Sequence, residues 1–234
     1  MNIVIYVYNG VTMLDAIGPY EILRNLKNVN IKFVAKNKGE ITADSHFVHL
    51  NAKYEIDDIK KADILLIPGS TIAFVREMKD KKVLNWIKAI NKTTLKTVTV
   101  CTGSIILSAT GLLQGKKATS HWKPIHLLSE FGAIPERKRI VEHGKFITSA
   151  GVSAGIDMAL YLVNELKGEN YAKVAQLAIE YDPNPIFTSG NYLTAEPEII
   201  EYAEKLLEKD AMKDFTLFEM IKNFRTLLKL RKEA

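Results

Sequence analysis

Cysteine is nearly absent from this chain of 234 residues, which carries a single one, Cys101. A lone thiol excludes an intrachain disulfide and any multi-cysteine metal site. His46, His49, His126 and His143 show no ligand spacing that would take its place, so neither a metal nor a cofactor is expected. A glycine-rich phosphate loop is missing as well: Tyr8-Asn9-Gly10-Val11-Thr12, after the first apolar run, has the wrong spacing for a dinucleotide fingerprint. Long hydrophobic runs are scarce. Residues 3–7 are too few for a signal core or a membrane span, and no basic segment precedes them, which leads to the expectation of a cytoplasmic protein without membrane contact. The excess of positive charge is small, 32 Lys and Arg against 27 Asp and Glu, and much of it gathers in Lys222, Arg225, Lys229, Arg231 and Lys232. A run of that kind reads as a solvated helix face. Without zinc-finger spacing, an aromatic RNA-binding strand pair or a helix-turn-helix module beside it, no nucleic-acid partner is expected.

What the chain does have is core-forming material, with 47% hydrophobic and 25% charged residues, in a regular alternation. Short Val/Ile-rich runs at residues 2–7, 30–35, 63–67 and 96–100 read as strands. Amphipathic or apolar stretches at 13–26, 72–77, 80–91, 105–110, 124–131, 154–166 and 170–180 read as helices. Residues 39–54 alternate irregularly and suggest short strands outside the main sheet. Residues 139–142 and 146–148 suggest a hairpin about His143-Gly144. Strands separated by helices require crossovers that pack on the sheet faces, so the fold class is α/β with a mostly parallel central sheet. Residues 1–195 are read as one domain and 196–234 as a helical extension packed on it or on a partner. Within 182–197, Ile186, Phe187 and Tyr192 among the turn residues suggest an ordered arm.

Cys101 follows the strand at 96–100 and precedes a helix, which places it at the carboxyl edge of the sheet, where open α/β folds bind ligands. The sequence Cys101-Thr102-Gly103-Ser104 reads as a strand-to-helix nucleophile elbow, although the familiar glycine-serine-glycine elbow pattern is absent. Unsatisfied amides at the helix start are expected to lower the thiol pKa. A cysteine ending a hydrophobic strand can be purely structural, but such a strand end has no need of Thr102, Gly103 and Ser104 after it. Asp15, at the start of the first helix, reaches the same edge and is the candidate proton carrier; helix capping is its competing role. Backbone N–H groups of Gly69, Ser70 and Thr102 are candidates for stabilising developing negative charge. Ile17, His121, Trp122 and Tyr192 are candidates for the pocket wall, with structural packing as the alternative for each. Gly103, Gly151 and Gly155 are read as sites of close backbone or helix approach.

Three stretches carry a family likeness: residues 9–19 around Thr12-Met13-Leu14-Asp15; Cys101-Thr102-Gly103 with residues 111–122 ending Thr119-Ser120-His121-Trp122; and residues 148–158 around Gly151-Val152-Ser153-Ala154-Gly155. The segment Glu180-Tyr181-Asp182-Pro183-Asn184-Pro185 adds to it. The chain resembles the DJ-1/PfpI superfamily, and within it the isonitrile hydratase branch. That resemblance implies a flavodoxin-like three-layer sandwich, a homodimer, and a small-molecule substrate. By position it implies Cys101 as nucleophile, Asp15 as the acidic residue and Thr102 as the threonine after the cysteine. Protease-like and glyoxalase-like relatives commonly have glutamate where this chain has Asp15. Ser70 stands where relatives often have glycine. A related amidase-like sensor domain continues into a DNA-binding module of about a hundred residues, for which the stretch after Tyr192 is too short. The expected reaction is hydration of an isonitrile to an N-substituted formamide, which makes the protein a lyase with a cysteine nucleophile. Hydrolysis of small carbonyl adducts and a non-enzymatic redox- or ligand-sensing dimer are the alternatives.

Overall fold

A computed structural model describes residues 1–213 together with Asn223, Thr226 and Leu228. In chain order its elements are β1 (Asn2–Tyr6), α1 (Met13–Leu23), β2 (Asn30–Ala35), β3 (Gly39–Thr42), β4 (His49–Ala52), β5 (Tyr54–Glu55), β6 (Ile64–Ile67), α2 (Phe74–Glu77), α3 (Lys81–Asn91), β7 (Lys96–Val100) and α4 (Gly103–Ala109). They continue with β8 (Lys117–Ala118), α5 (Leu127–Glu130), β9 (Ile134–Pro135), β10 (Ile140–His143), β11 (Phe146–Ser149), α6 (Val152–Lys167), α7 (Glu169–Ala178) and α8 (Pro197–Lys213).

Seven strands form the main sheet in the order β10-β11-β7-β6-β1-β2-β5. Every pairing in it is parallel except β10 with β11. Burial explains the strand sequences. Ile3, Val4, Ile5 and Tyr6 of β1 and Ile64, Leu65, Leu66 and Ile67 of β6 are all essentially inaccessible, because the central strands of a sheet covered on both faces have no solvent side to alternate toward. The edge strand β5 is two residues long and Tyr54 on it is exposed, a short edge that limits further pairing. Asp80 starts α3 by accepting from the N–H groups of Lys82 and Val83 at 2.9 and 3.3 Å, an N-cap that fixes where that crossover turns.

The irregular stretch at 39–54 forms the antiparallel pair β3–β4 outside the main sheet. Most helix ends shift by one or two residues, and some expectations fail by more. α1 ends at Leu23 rather than 26, with Asn25 and Leu26 in turns. Only Leu127–Glu130 of the 124–131 stretch is α-helical, since Pro124 and Ile125 start tight turns instead. Ile186 and Phe187 are 88% and 78% exposed, so they do not anchor the arm. Tyr192 does, through a stacked contact with Trp122 at 5.2 Å between ring centroids. The extension begins as α8, whose Glu204 forms a half-buried ion pair with Lys123 at 2.7 Å. The basic run at Lys222, Arg225, Lys229, Arg231 and Lys232 lies outside the described residues. No helix among the described residues is long and apolar enough to cross a membrane.

Candidate active site

Parallel pairing of β1, β6 and β7 brings three carboxyl ends side by side. β7 delivers Cys101, β6 delivers Pro68-Gly69-Ser70, and the turn after β1 delivers α1 with Asp15. Cys101 has φ of 56°, a left-handed conformation that costs a non-glycine residue roughly 1–2 kcal/mol and so must be held by its surroundings. Its backbone shows how. The Cys101 N–H donates to the carbonyls of Ser149 and Ala150 at 3.1 and 2.8 Å. Its carbonyl accepts from the hydroxyls of Ser104 and Ser120, each at 3.1 Å. Thus β11, α4 and the loop after β8 all grip one residue, and the elbow turns so tightly that only glycine fits two positions after it. A Cβ built on Gly103 would lie 2.1 Å from the Ile67 carbonyl oxygen. Gly69 is constrained in the same way: its Cβ would fall 2.5 Å from the Thr102 nitrogen and 2.8 Å from the Cys101 Cβ. Gly155 lets α6 approach β7 and α1, where a Cβ would meet Val100 at 2.9 Å and Pro19 at 3.4 Å.

Asp15 is fully buried. Gly69 N–H donates to its Oδ2 at 3.1 Å, whereas Oδ1 has no hydrogen-bond partner among the described residues. Burial pushes its pKa up from the ordinary carboxylate range to about 7; the Gly69 N–H and the Cys101 thiol oppose that rise and the nearby Asp44 carboxylate adds to it. The thiol and the carboxyl therefore influence each other directly, with Oδ1 as the free oxygen. Asp44 is held over this end of α1 by the hydroxyls of Thr12 and Thr71. A helix cap does not account for Asp15, since no side chain caps α1.

The expected lowering of the Cys101 pKa is overturned. Thr102 supplies a stabilising contact to the sulfur through its N–H, as anticipated for a helix start, but burial and the adjacent Asp15 charge outweigh it and hold the thiol well above its ordinary value. At neutral pH Cys101 rests as a thiol. The amides read as candidates for stabilising negative charge have their own partners in the fold. Gly69 N–H is already committed to Asp15, and Ser70 N–H donates to Thr102 Oγ1 at 2.8 Å. Thr102 Oγ1 also donates to the Ser70 carbonyl at 2.9 Å. Of the three amides, only that of Thr102 faces the sulfur.

His121 is driven down to a pKa of about 4 by burial and is neutral at physiological pH, a poor proton acceptor there. Its Nδ1 accepts from the Lys123 N–H at 3.4 Å. Trp122 lies between His121, at 5.5 Å, and Tyr192, and Arg137 covers the other side of the Tyr192 ring at 4.5 Å. This aromatic stack is tied to the elbow through Ser120, one residue before His121. Ile17 is half-buried, and its position two residues after Asp15 puts it roughly 200° around the helix, on a different face. Two contributors, Tyr8 and Asp44, carry no prior sign in the sequence. Tyr8 ends the β1 run as one more aromatic residue, and Asp44 lies in the stretch without clear periodicity. Among the described residues no group of three or more His, Cys, Asp or Glu could hold a metal ion.

A mostly parallel α/β sandwich with its cysteine on a strand-to-helix turn, beside a buried carboxyl from the first helix, defines a class of α/β proteins by fold and by the placement of those two groups. The chain belongs to the DJ-1/PfpI family, whose pattern matches residues 1–165. It is 37% identical over 195 residues to an isonitrile hydratase of Pseudomonas putida, covering 83% of this chain and 85% of that one. It is 27% identical over 132 residues to the HTH-type transcriptional regulator CdhR of Pseudomonas aeruginosa, a match to 38% of that protein. Among solved structures, a THiJ/PfpI family protein from Pseudomonas syringae superposes with a TM-score of 0.83 at 35% identity, over 90% of this chain and 89% of that one.

Proposed function

We propose that this protein hydrates isonitriles to N-substituted formamides, with Cys101 as nucleophile and Asp15 as the group that takes and returns the proton. The observation that carries the reading is the placement of a fully buried Asp15 carboxyl, one oxygen held by the Gly69 N–H and the other without a partner among the described residues, beside the Cys101 thiol. An isonitrile carbon accepts both a nucleophile and a proton. The sulfur bonds to that carbon while the thiol proton passes to Asp15 Oδ1, and Asp15 then protonates the same carbon to give a neutral thioimidate, Cys101–S–CH=N–R. Asp15, again a carboxylate, removes a proton from water as the water oxygen adds to the thioimidate carbon, and passes that proton to the nitrogen; the proton left on the added hydroxyl goes to the sulfur on collapse. The C–S bond breaks, the formamide leaves, and the sulfur recovers its proton. Isonitrile and water are consumed, one formamide is made, and no redox partner is needed.

The first step makes no oxyanion, which suits a site where Gly69 and Ser70 N–H groups already have partners. Carbonyl-adduct hydrolysis would draw on such donors. A redox-sensing role would draw on an exposed thiolate, and Cys101 is 5% exposed and protonated. The relative in Pseudomonas putida, described as an isonitrile hydratase, supports the same reading.

Steady-state assays of alkyl and aryl isonitriles and of small dicarbonyls test it. Isonitriles are expected to yield formamides, with kcat/KM rising through an inflection near pH 7 as Asp15 ionises. Turnover of dicarbonyls without turnover of isonitriles would transfer the assignment to carbonyl-adduct chemistry.

A further inference from the structure

The segment Pro68-Gly69-Ser70 has an unusual completeness of bonding. The Pro68 carbonyl accepts from the Tyr8 hydroxyl at 3.1 Å. Gly69 gives its N–H to Asp15 at 3.1 Å and takes the Thr12 N–H on its carbonyl at 3.0 Å. Ser70 exchanges both backbone groups with Thr102 Oγ1, at 2.8 and 2.9 Å. Three residues therefore join the elements that carry Asp15, through Tyr8, Thr12 and Asp15 itself, to the element that carries Cys101, through Thr102. The Ser70 side chain, 1% exposed, secures the segment from its other side. Its Oγ accepts from the Phe74 N–H at 2.7 Å. The segment is thus held at two points, Ser70 Oγ by the Phe74 N–H and the Pro68 carbonyl by the Tyr8 hydroxyl.

We propose that Ser70 and Tyr8 are positioning residues for the reactive pair, because together they hold the Pro68–Ser70 segment at the height where its amide reaches the Asp15 carboxyl and its peptide clamps Thr102. Neither side chain carries a proton in the reaction. Each acts through the Gly69 N–H, which is the contact that most opposes the burial of charge on Asp15. If either hydroxyl is removed, the segment drifts, the Gly69 N–H bond to Asp15 lengthens, and the carboxylate becomes harder to form. Capping of α2 alone would require Ser70 only for its bond to Phe74 and would leave Asp15 unaffected. The inference rests on the pairing of Asp15 with Cys101 in the proposed reaction, and its test does not need an isonitrile.

Cys101 is the only cysteine, so alkylation by iodoacetamide reports on one atom. In that reaction the S–C bond forms, the C–I bond breaks, iodide departs, and the Asp15 carboxylate takes the thiol proton. The rate constant of the intact chain, measured from pH 5 to 10 with Ser70→Ala, Tyr8→Phe and the double variant alongside, gives the decisive profile. Wild type is expected to show an inflection near pH 7. Each single variant is expected to move it upward by about half a pH unit or more and to slow alkylation at pH 7 by about threefold or more, with the double variant affected at least as much as either single. Folded variants with the wild-type inflection overturn the proposal, as does a wild-type profile that lacks one. Should Ser70→Ala fail to fold, Tyr8→Phe decides alone, since it removes one oxygen and keeps the ring. Failure of isonitrile turnover with the alkylation result intact would remove the hydratase reading and leave the positioning role standing.

Discussion

Replacing Asp15 with asparagine is expected to lower isonitrile turnover by roughly 10²- to 10⁴-fold, the usual worth of a positioned acid–base group, and at the same time to make the protein more stable. The two effects share one cause. Asp15 is buried, and a carboxyl whose pKa rises from 3.8 to about 7 on folding binds a proton in the folded chain over a range where the unfolded chain has lost it. Wild-type stability therefore falls as pH rises between those two values and stays low above the upper one. A rise of that size corresponds to roughly 4 kcal/mol as an upper bound. The substituted amide carries no charge to bury and keeps an oxygen for the Gly69 N–H. In Asp15→Asn the melting temperature at pH 8 is expected to exceed that of wild type by about 5 °C or more, with the difference vanishing near pH 4. Thermal melts across pH check this, and an unchanged melting temperature at pH 8 would show that the carboxylate is not held at a cost. The same variant should lower the pKa of Cys101, since the Asp15 charge is one of the causes that raise it. A thiol that ionises more readily in a protein that turns over less would separate lost proton transfer from damage to the nucleophile.

Gly103→Ala is expected to destabilise the fold by about 3 kcal/mol or more, enough to lower the melting temperature by about 6 °C or more, or to prevent folding altogether. Alanine in place of a helical glycine ordinarily helps by about 1 kcal/mol, so the sign has to be decided by space. Here the added carbon would lie 2.1 Å from the Ile67 carbonyl oxygen and 2.9 Å from the Pro68 carbonyl oxygen. Both are backbone atoms at the end of β6, a central strand whose side chains are wholly buried, and neither can step aside as the tip of a flexible side chain would. Any relaxation separates β6 from the elbow and with it Gly69 and Ser70 from Asp15 and Thr102. Surviving folded protein should therefore lose turnover as well. Denaturant unfolding of the variant is the direct check; a stability within about 0.5 kcal/mol of wild type would mean the elbow is looser than its geometry implies.

Much of this architecture was legible before any coordinates. The alternation of β-branched runs with helical stretches determined an α/β protein with a mostly parallel sheet, because crossovers between parallel strands leave little other choice. The step from Val100 to Cys101-Thr102-Gly103 determined an elbow, and the position of Asp15 after the first strand determined that it would reach the same edge. Gly103 and Gly155 could be read as points of close approach because a missing side chain in an otherwise well-packed run requires a neighbour near by. What could not be read was the balance of opposing effects inside the site. Sequence indicated that helix-start amides would favour a thiolate, yet depth of burial and the distance to Asp15 reversed the outcome, and both are properties of the assembled core. Sequence likewise offered Gly69 and Ser70 as free donors, and only the fold showed both N–H groups already bonded, to residues 54 and 32 positions away. Tyr8, Asp44 and the grip of Ser120 on the Cys101 carbonyl entered only with the tertiary structure. The sequence by itself determined most of the strands and helices and which end of the sheet gathers Cys101 and Asp15, since those follow from local periodicity and chain topology. The tertiary structure decided which groups are charged, which are free and which are spent on one another, since desolvation and hydrogen-bond partnership depend on atoms brought together from distant parts of the chain.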